Sequence, residues 1–176
     1  MDLVADATLA FPRDLVFSTY RDHLLEVVDF LPNIRAIEVR SRRDDGAIVE
    51  LLNVWHGGGE IPAAARAVIS EAMLSWDDHA RWDAGDFSCR WRIVTHSFTE
   101  AVRCEGVNRF FERDGATTLQ IRGQLTIDAA KIRGVPRLIA GSVGRTVEDF
   151  LGKKIQPNLV EVSAGVRQYL ETKARR

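Results

Sequence analysis

The chain has 176 residues, 45% of them hydrophobic and 28% charged. That is room for one domain, since roughly 100–150 residues is the commonest domain size, and the composition excludes disorder as the main state. The 24 basic and 25 acidic residues leave a formal net charge of -1, so no global field draws the chain to DNA or to anionic lipid.

Two cysteines, Cys89 and Cys104, are too few for a disulfide framework or a zinc knuckle. Both sit in alternating apolar runs, where cysteine behaves as a small hydrophobe, and this predicts a reducing compartment. Asp2 and Asp6 stand where a leader peptide would be basic, and no run approaches the ~18 apolar residues of a membrane span. The expectation is a cytoplasmic protein without stable membrane insertion.

Leu3, Ala5, Ala7, Leu9 and Phe11 alternate with Val4, Asp6, Thr8 and Ala10, the period of a half-buried strand. Pro12 opens a helical stretch in which Leu15, Val16, Thr19, Leu24, Val27, Val28 and Leu31 recur until Pro32, as two short helices or one bent one. From Ile34 the period returns to two. Turn signals at Asp44-Asp45-Gly46, Asp83-Ala84-Gly85-Asp86 and Asp114-Gly115 imply three hairpins.

Closing the middle hairpin tightly at Ala84-Gly85 opposes Trp82 to Phe87, Ala80 to Cys89, Asp78 to Trp91 and Trp76 to Ile93 on an inward face. The outward face then pairs Asp77 with Arg92 and His79 with Arg90. Across Asp114-Gly115, Phe110 opposes Leu119, Asn108 opposes Ile121, Gly106 opposes Gly123 and Cys104 opposes Leu125. In the first hairpin Ile37, Val39, Ile48, Leu52 and Val54 are expected on one side, with Glu38, Arg40 and Arg42 on the other. Gly57-Gly58-Gly59, Pro62 and the alanines that follow read as a connection from Gly57 to Ile69 able to act as a lid. After Asp128 the apolar spacing of Leu138, Val143, Val147, Leu151, Ile155, Leu159, Val162, Val166 and Leu170 predicts a long amphipathic helix kinked or divided at Pro157.

One strand, a short helical segment, about six more antiparallel strands and a long last helix make an α+β domain whose curved sheet needs a cover. That order resembles the helix-grip fold of the START-like superfamily, the polyketide cyclase and lipid-transport type, over nearly the whole chain. Phe11-Pro12-Arg13-Asp14-Leu15-Val16-Phe17 looks like that superfamily's first strand entering its first helix. Phe30-Leu31-Pro32 with Ile34 to Arg43 is similar to the entry to the second strand in coenzyme Q-binding members, and Gly59-Glu60-Ile61-Pro62 through Trp82-Asp83 resembles START-like domains without assigned function. The resemblance implies a single domain over 1–176, a sheet of about seven strands wrapped around a long C-terminal helix, and a ligand cavity between them.

On these registers the cavity would be lined by Trp76, Trp82, Phe87, Trp91, Ile93, Phe110, Leu119 and Ile121, faced by Val147 and Leu151 of the last helix, and suited to a flat or elongated apolar ligand. Asp78 and Asn108 are the inward polar groups, with Glu50 and His56 as further candidates of shared parity. Asp78 among tryptophans has the setting of a carboxyl with a raised pKa, able to donate to a carbonyl or shuttle a proton.

His56-Gly57-Gly58-Gly59 matches the oxyanion string of some lipases, but no G-x-S-x-G elbow accompanies it. His23, His56, His79 and His96 lack metal-ligand spacing, and no phosphate or dinucleotide loop occurs, so neither metal nor cofactor is expected. The functional expectation is binding or carriage of a lipid, isoprenoid or polyketide-like molecule. The alternatives are an aromatase, cyclase or dehydratase using Asp78 as general acid/base, and a protein or RNA interaction module using Arg40, Arg42, Arg90, Arg92, Arg109 and Arg122 on the outer sheet face.

Overall fold

The computed structural model describes residues 1–58, 74–96, 99–131 and 159–175. Chain order runs β1 (Asp2–Leu9), α1 (Arg13–Asp22), α2 (Leu24–Val27), a 3-10 turn (Val28–Phe30), β2 (Ile34–Asp45), β3 (Ile48–Gly57), β4 (Ser75–Asp83), β5 (Ser88–Thr95), β6 (Val102–Arg113) and β7 (Ala116–Ile127). A helix over 159–174, here α3, comes last among the described elements. The strands form one antiparallel seven-stranded sheet in the order β1-β7-β6-β5-β4-β3-β2, so β1 and β2 are the edges. The helices pack on one side of it, which makes this the expected α+β helix-grip architecture.

The last hairpin has the predicted register, Phe110 opposite Leu119 and Gly106 opposite Gly123. Asp114 (φ 54°) and Gly115 (φ 75°) supply the two positive φ angles that a tight hairpin turn needs. The middle hairpin keeps its predicted faces but shifts by two residues: Trp82 opposes Cys89, Ala80 opposes Trp91, Asp78 opposes Ile93 and Trp76 opposes Thr95. The cause is a longer turn over residues 84–87, with Phe87 itself at φ 51°. The expected Asp77 to Arg92 pair is therefore not made. Asp77 instead accepts from His96 at 2.7 Å, and Arg92 lies opposite His79.

The first hairpin departs further. Val49, Leu51, Asn53 and Trp55 face inward with Ile37, opposite Trp82, Ala80, Asp78 and Trp76 of β4. Ile48, Leu52 and Val54 take the other side, contrary to expectation, because β3 is apolar on both faces and its own pattern does not choose between them. Glu50 and His56 go with them: Glu50 lies opposite Arg43, and His56 contacts Ser75 Oγ (3.0 Å) and Glu38 (3.1 Å). A register shift between Val39 and Ser41 reverses the facing of the rest of β2, and Arg42 arrives on the helix side, paired with Asp22 of α1 at 2.8 Å.

Gly106 and Gly123 face each other under Trp91. A Cβ on Gly123 would stand 2.7 Å from Trp91 Cη2 and 2.8 Å from the Glu105 carbonyl, and one on Gly106 would meet Trp91 and the Arg122 carbonyl. The indole thus lies flat across two strands, its Nε1 donating to Asn108 Oδ1 at 2.8 Å. Asn108 is held by this bond.

In α1 the buried face is Val16, Phe17, Thr19 and Tyr20, whereas Leu15 points to solvent. α3 docks on this helical segment through Val166, Tyr169 and Leu170, which are buried in the common core. Tyr20 bonds to Ser163 at 2.8 Å, and Glu26 gathers Tyr169 (2.7 Å), His23 (2.9 Å) and Lys173 (3.1 Å). Gly165 admits Leu31, whose Cδ2 would lie 2.5 Å from an added Cβ.

Two outcomes follow from this packing. Gly123→Ala should cost about 2–3 kcal/mol in urea denaturation through forced displacement of Trp91 and the β6 backbone, and adding Trp91→Leu should recover part of the loss as a coupling energy. The hydrogen bonds of Tyr169, His23 and Lys173 hold the Glu26 carboxyl down at about 2, so its contribution is present above the ordinary carboxylate range and is lost as pH falls toward 2. Glu26→Gln should lower Tm at pH 7 and flatten the decline of Tm with acid over that window.

Candidate functional site

The inner face of the sheet is covered unevenly. Beside α1, the Phe17 ring sits edge-on among Trp82, Phe87 and Phe110 at centroid distances of 5.2, 5.3 and 5.4 Å, and Tyr20 stands 5.5 Å from Phe110. Leu119 and Ile121 are buried in the same cluster. The positive φ of Phe87 turns its ring into this group, where the Arg13 guanidinium stacks on it at 3.7 Å.

Toward the other end, Trp76, Asp78, Ile93 and Thr95 are only half-buried although they share the inward face. Trp76 stacks on Trp55 at 5.9 Å with the rings 13° from parallel. The residues expected to line one cavity thus separate into two groups, with Trp91 and Asn108 between them. Val147 and Leu151 lie outside the described residues, as does the connection beyond Gly58.

Asp78 stands opposite Asn53 on one side and Ile93 on the other. Its carboxyl keeps some accessible surface, yet removal from water pushes its pKa up to about 6, partly offset by the neighbouring N–H groups of Asn53 and Trp55. Neither neighbour reaches hydrogen-bonding geometry: Asn53 Nδ2, Asn53 Oδ1 and Trp55 Nε1 are buried without partners, and so is Thr95 Oγ1. Buried polar groups are nearly always satisfied; among the described residues the other two such atoms, Arg13 Nε and Trp82 Nε1, lie at the Phe17 end of the face.

The arrangement can present a carboxyl that changes protonation near pH 6, next to uncommitted donors and a stacked indole pair. Cys89 and Cys104 contribute no nucleophile, since burial pushes both thiols up, Cys104 to about 12. Among the described residues no group of His, Cys, Asp and Glu is placed to hold a metal ion.

Sequence reasoning singled out Asp78 and Trp76 and missed Asn53, Trp55 and Thr95. The missing signal was relational. Only the β3 to β4 pairing shows that Asn53 falls beside Asp78 and Trp55 beside Trp76. On the outer face Arg90, Arg92 and Arg109 are exposed, while Arg122 is held by Asp6. An open depression of about 510 Å³ lined by Asp2, Val4, Glu105, Arg122 and Gln124, with Leu3 and Gly123, lies on that face, away from Asp78. No helix of the described residues is long and apolar enough to cross a membrane.

This sheet and its helical cover define the α+β helix-grip fold. Among solved structures, the chain is similar to the Zhui aromatase/cyclase from Streptomyces sp. R1128, with a TM-score of 0.65 and 17% identity over 99% of this chain and 95% of that one. It is similar also to the protein TTHA0849 from Thermus thermophilus (TM-score 0.61, 15% identity, 94% and 97% covered) and to norcoclaurine synthase from Thalictrum flavum (0.60, 12%, 97% and 87%). No family model matches the chain, and no curated protein sequence matches it.

Asp78 also yields a stability prediction. An acid whose folded pKa is raised penalises the fold once it must ionise, so the penalty is absent below about pH 4 and complete above about 6. Asp78→Asn should therefore stabilise the protein at pH 8 by about 2 kcal/mol, or roughly 4–8 °C in Tm. The gain should vanish in melts at pH 4.

Proposed function

We propose that the protein binds or carries a hydrophobic small molecule of lipid, isoprenoid or polyketide-like character, seated on the inner face of the sheet around Trp55, Trp76, Asp78 and Ile93. The observation that carries this reading is the half-buried state of that end of an aromatic inward face while the opposite end is filled by Phe17. A flat apolar ligand gains contact area on the Trp55 and Trp76 pair, and the few polar groups there fix its orientation. The fold neighbours support a ligand-binding or aromatase/cyclase-type scaffold in general terms.

Mass spectrometry of gently purified protein, first native and then denaturing, should release a stoichiometric apolar compound. Trp76→Ala should weaken its rebinding by about tenfold or more with little change in far-UV circular dichroism. Unchanged affinity would remove this end of the sheet from the binding site. Trp91 is the wrong residue for that test, because its loss uncovers Gly106 and Gly123 and disturbs the sheet itself.

A second reading is favoured by the Asp78 carboxyl held near 6, within the range useful to a general acid/base at neutral pH. In this reading Asp78 moves a proton on a carbonyl-bearing substrate in an aromatase, cyclase or dehydratase reaction. Asp78→Asn should then abolish turnover while leaving binding nearly intact; retained turnover would eliminate the role.

A further inference from the structure

The inner face holds two kinds of polar side chain. Asn108 is satisfied by Trp91. Asn53 is only 1% exposed and both atoms of its amide lack a partner, as do Trp55 Nε1 and, across β4 on β5, Thr95 Oγ1. The β3 to β4 to β5 register places Asn53, Asp78 and Ile93 in one cross-strand row and Trp55, Trp76 and Thr95 in the next. Four unpartnered polar atoms and one carboxyl therefore border the stacked indoles. A buried amide without a partner on either its donor or its acceptor side costs stability, and a ligand group that answers both sides removes that cost.

We infer that Asn53, with Trp55, is the residue that selects the ligand, and that the ligand is an aromatic molecule carrying a free hydroxyl directed into the corner formed by Asn53, Trp55, Asp78 and Thr95. A hydroxyl is the smallest group that donates one hydrogen bond and accepts others. Its oxygen receives the N–H groups of Asn53 and Trp55, while its proton goes to Asn53 Oδ1 or to the Asp78 carboxylate. The attached ring lies against Trp76, continuing the stack begun by Trp55. An ether or hydrocarbon of the same shape leaves the corner's acceptors unanswered and is rejected on that ground.

This inference rests on the proposed binding reading, and the experiment separates the two. Binding of 2-naphthol and of 2-methoxynaphthalene is measured by calorimetry on the wild-type protein and on Asn53→Leu. The naphthol should bind at least about tenfold more tightly than its ether to wild type, and the preference should fall to about threefold or less in Asn53→Leu, with ether binding retained. Thermal melts of the ligand-free proteins give an independent readout: Asn53→Leu should melt at a higher temperature, because it removes an unsatisfied buried amide and keeps its branched shape and heavy-atom count. Equal binding of the two probes to wild type overturns the hydroxyl requirement and leaves the aromatic binding site standing. An unchanged preference in Asn53→Leu, or a lowered melting temperature, overturns the role of Asn53. Failure of both probes to bind wild type overturns the inference together with the binding reading beneath it.

Discussion

The longest strands of the sheet outrun α1, one of the helices that pack on it. A strand of 12 residues such as β6 spans about 40 Å, whereas the 10 residues of α1 span about 15 Å. Phe17 decides which part of the sheet that short helix serves. Lodged among Trp82, Phe87 and Phe110, it fixes α1 over one end. α2 and α3 then follow the position of α1, through Tyr20 to Ser163 and through Glu26 to Tyr169 and Lys173. The less buried end of the inward face, with Asp78 and its neighbours, lies away from Phe17.

Much of this architecture was legible where a local signal and a packing signal agreed. Asp114-Gly115 specifies a turn by its dihedral requirements, and the residues on either side fall into register without further information. The middle hairpin shows the limit. Its faces were readable because the side-chain period is two, but its loop length was not, since Phe87 adopts a positive φ that its residue type disfavours, its ring held against Phe17 and Arg13 and its carbonyl accepting from Phe110 N–H. In β3 apolar residues lie on both faces, so parity was set by partners on β2 and β4. That is why Asp78 was found and Asn53 was not: the first is conspicuous among its own strand's tryptophans, while the second acquires meaning only from the strand beside it.

Gly106 and Gly123 illustrate a constraint of another kind. Their opposition was readable, yet its purpose depends on a third strand that brings the Trp91 ring over both. Large and small residues are here distributed across three strands to make a flat floor, and Asn108 secures the ring against rotation. The floor separates the filled aromatic end from the polar corner. Buried polar atoms without partners occur on both sides of it, Trp82 Nε1 and Arg13 Nε at the filled end and those of Asn53 and Trp55 at the other.

The sheet closes by pairing its first strand with its last, Leu3 with Gly123 and Leu9 with Thr117. Every other adjacent pair in the order joins strands consecutive along the chain. As the polypeptide is made, β1 emerges early and has no partner until β7 exists, and α1 meanwhile carries Phe17 and Tyr20 with no Phe110 to receive them. Folding is therefore governed by a long-range closure whose entropy is lost before its contacts form, and it should be slow for a domain of this size. During that interval the apolar sides of β1 and α1 are the surfaces that a chaperone or an aggregate would meet first.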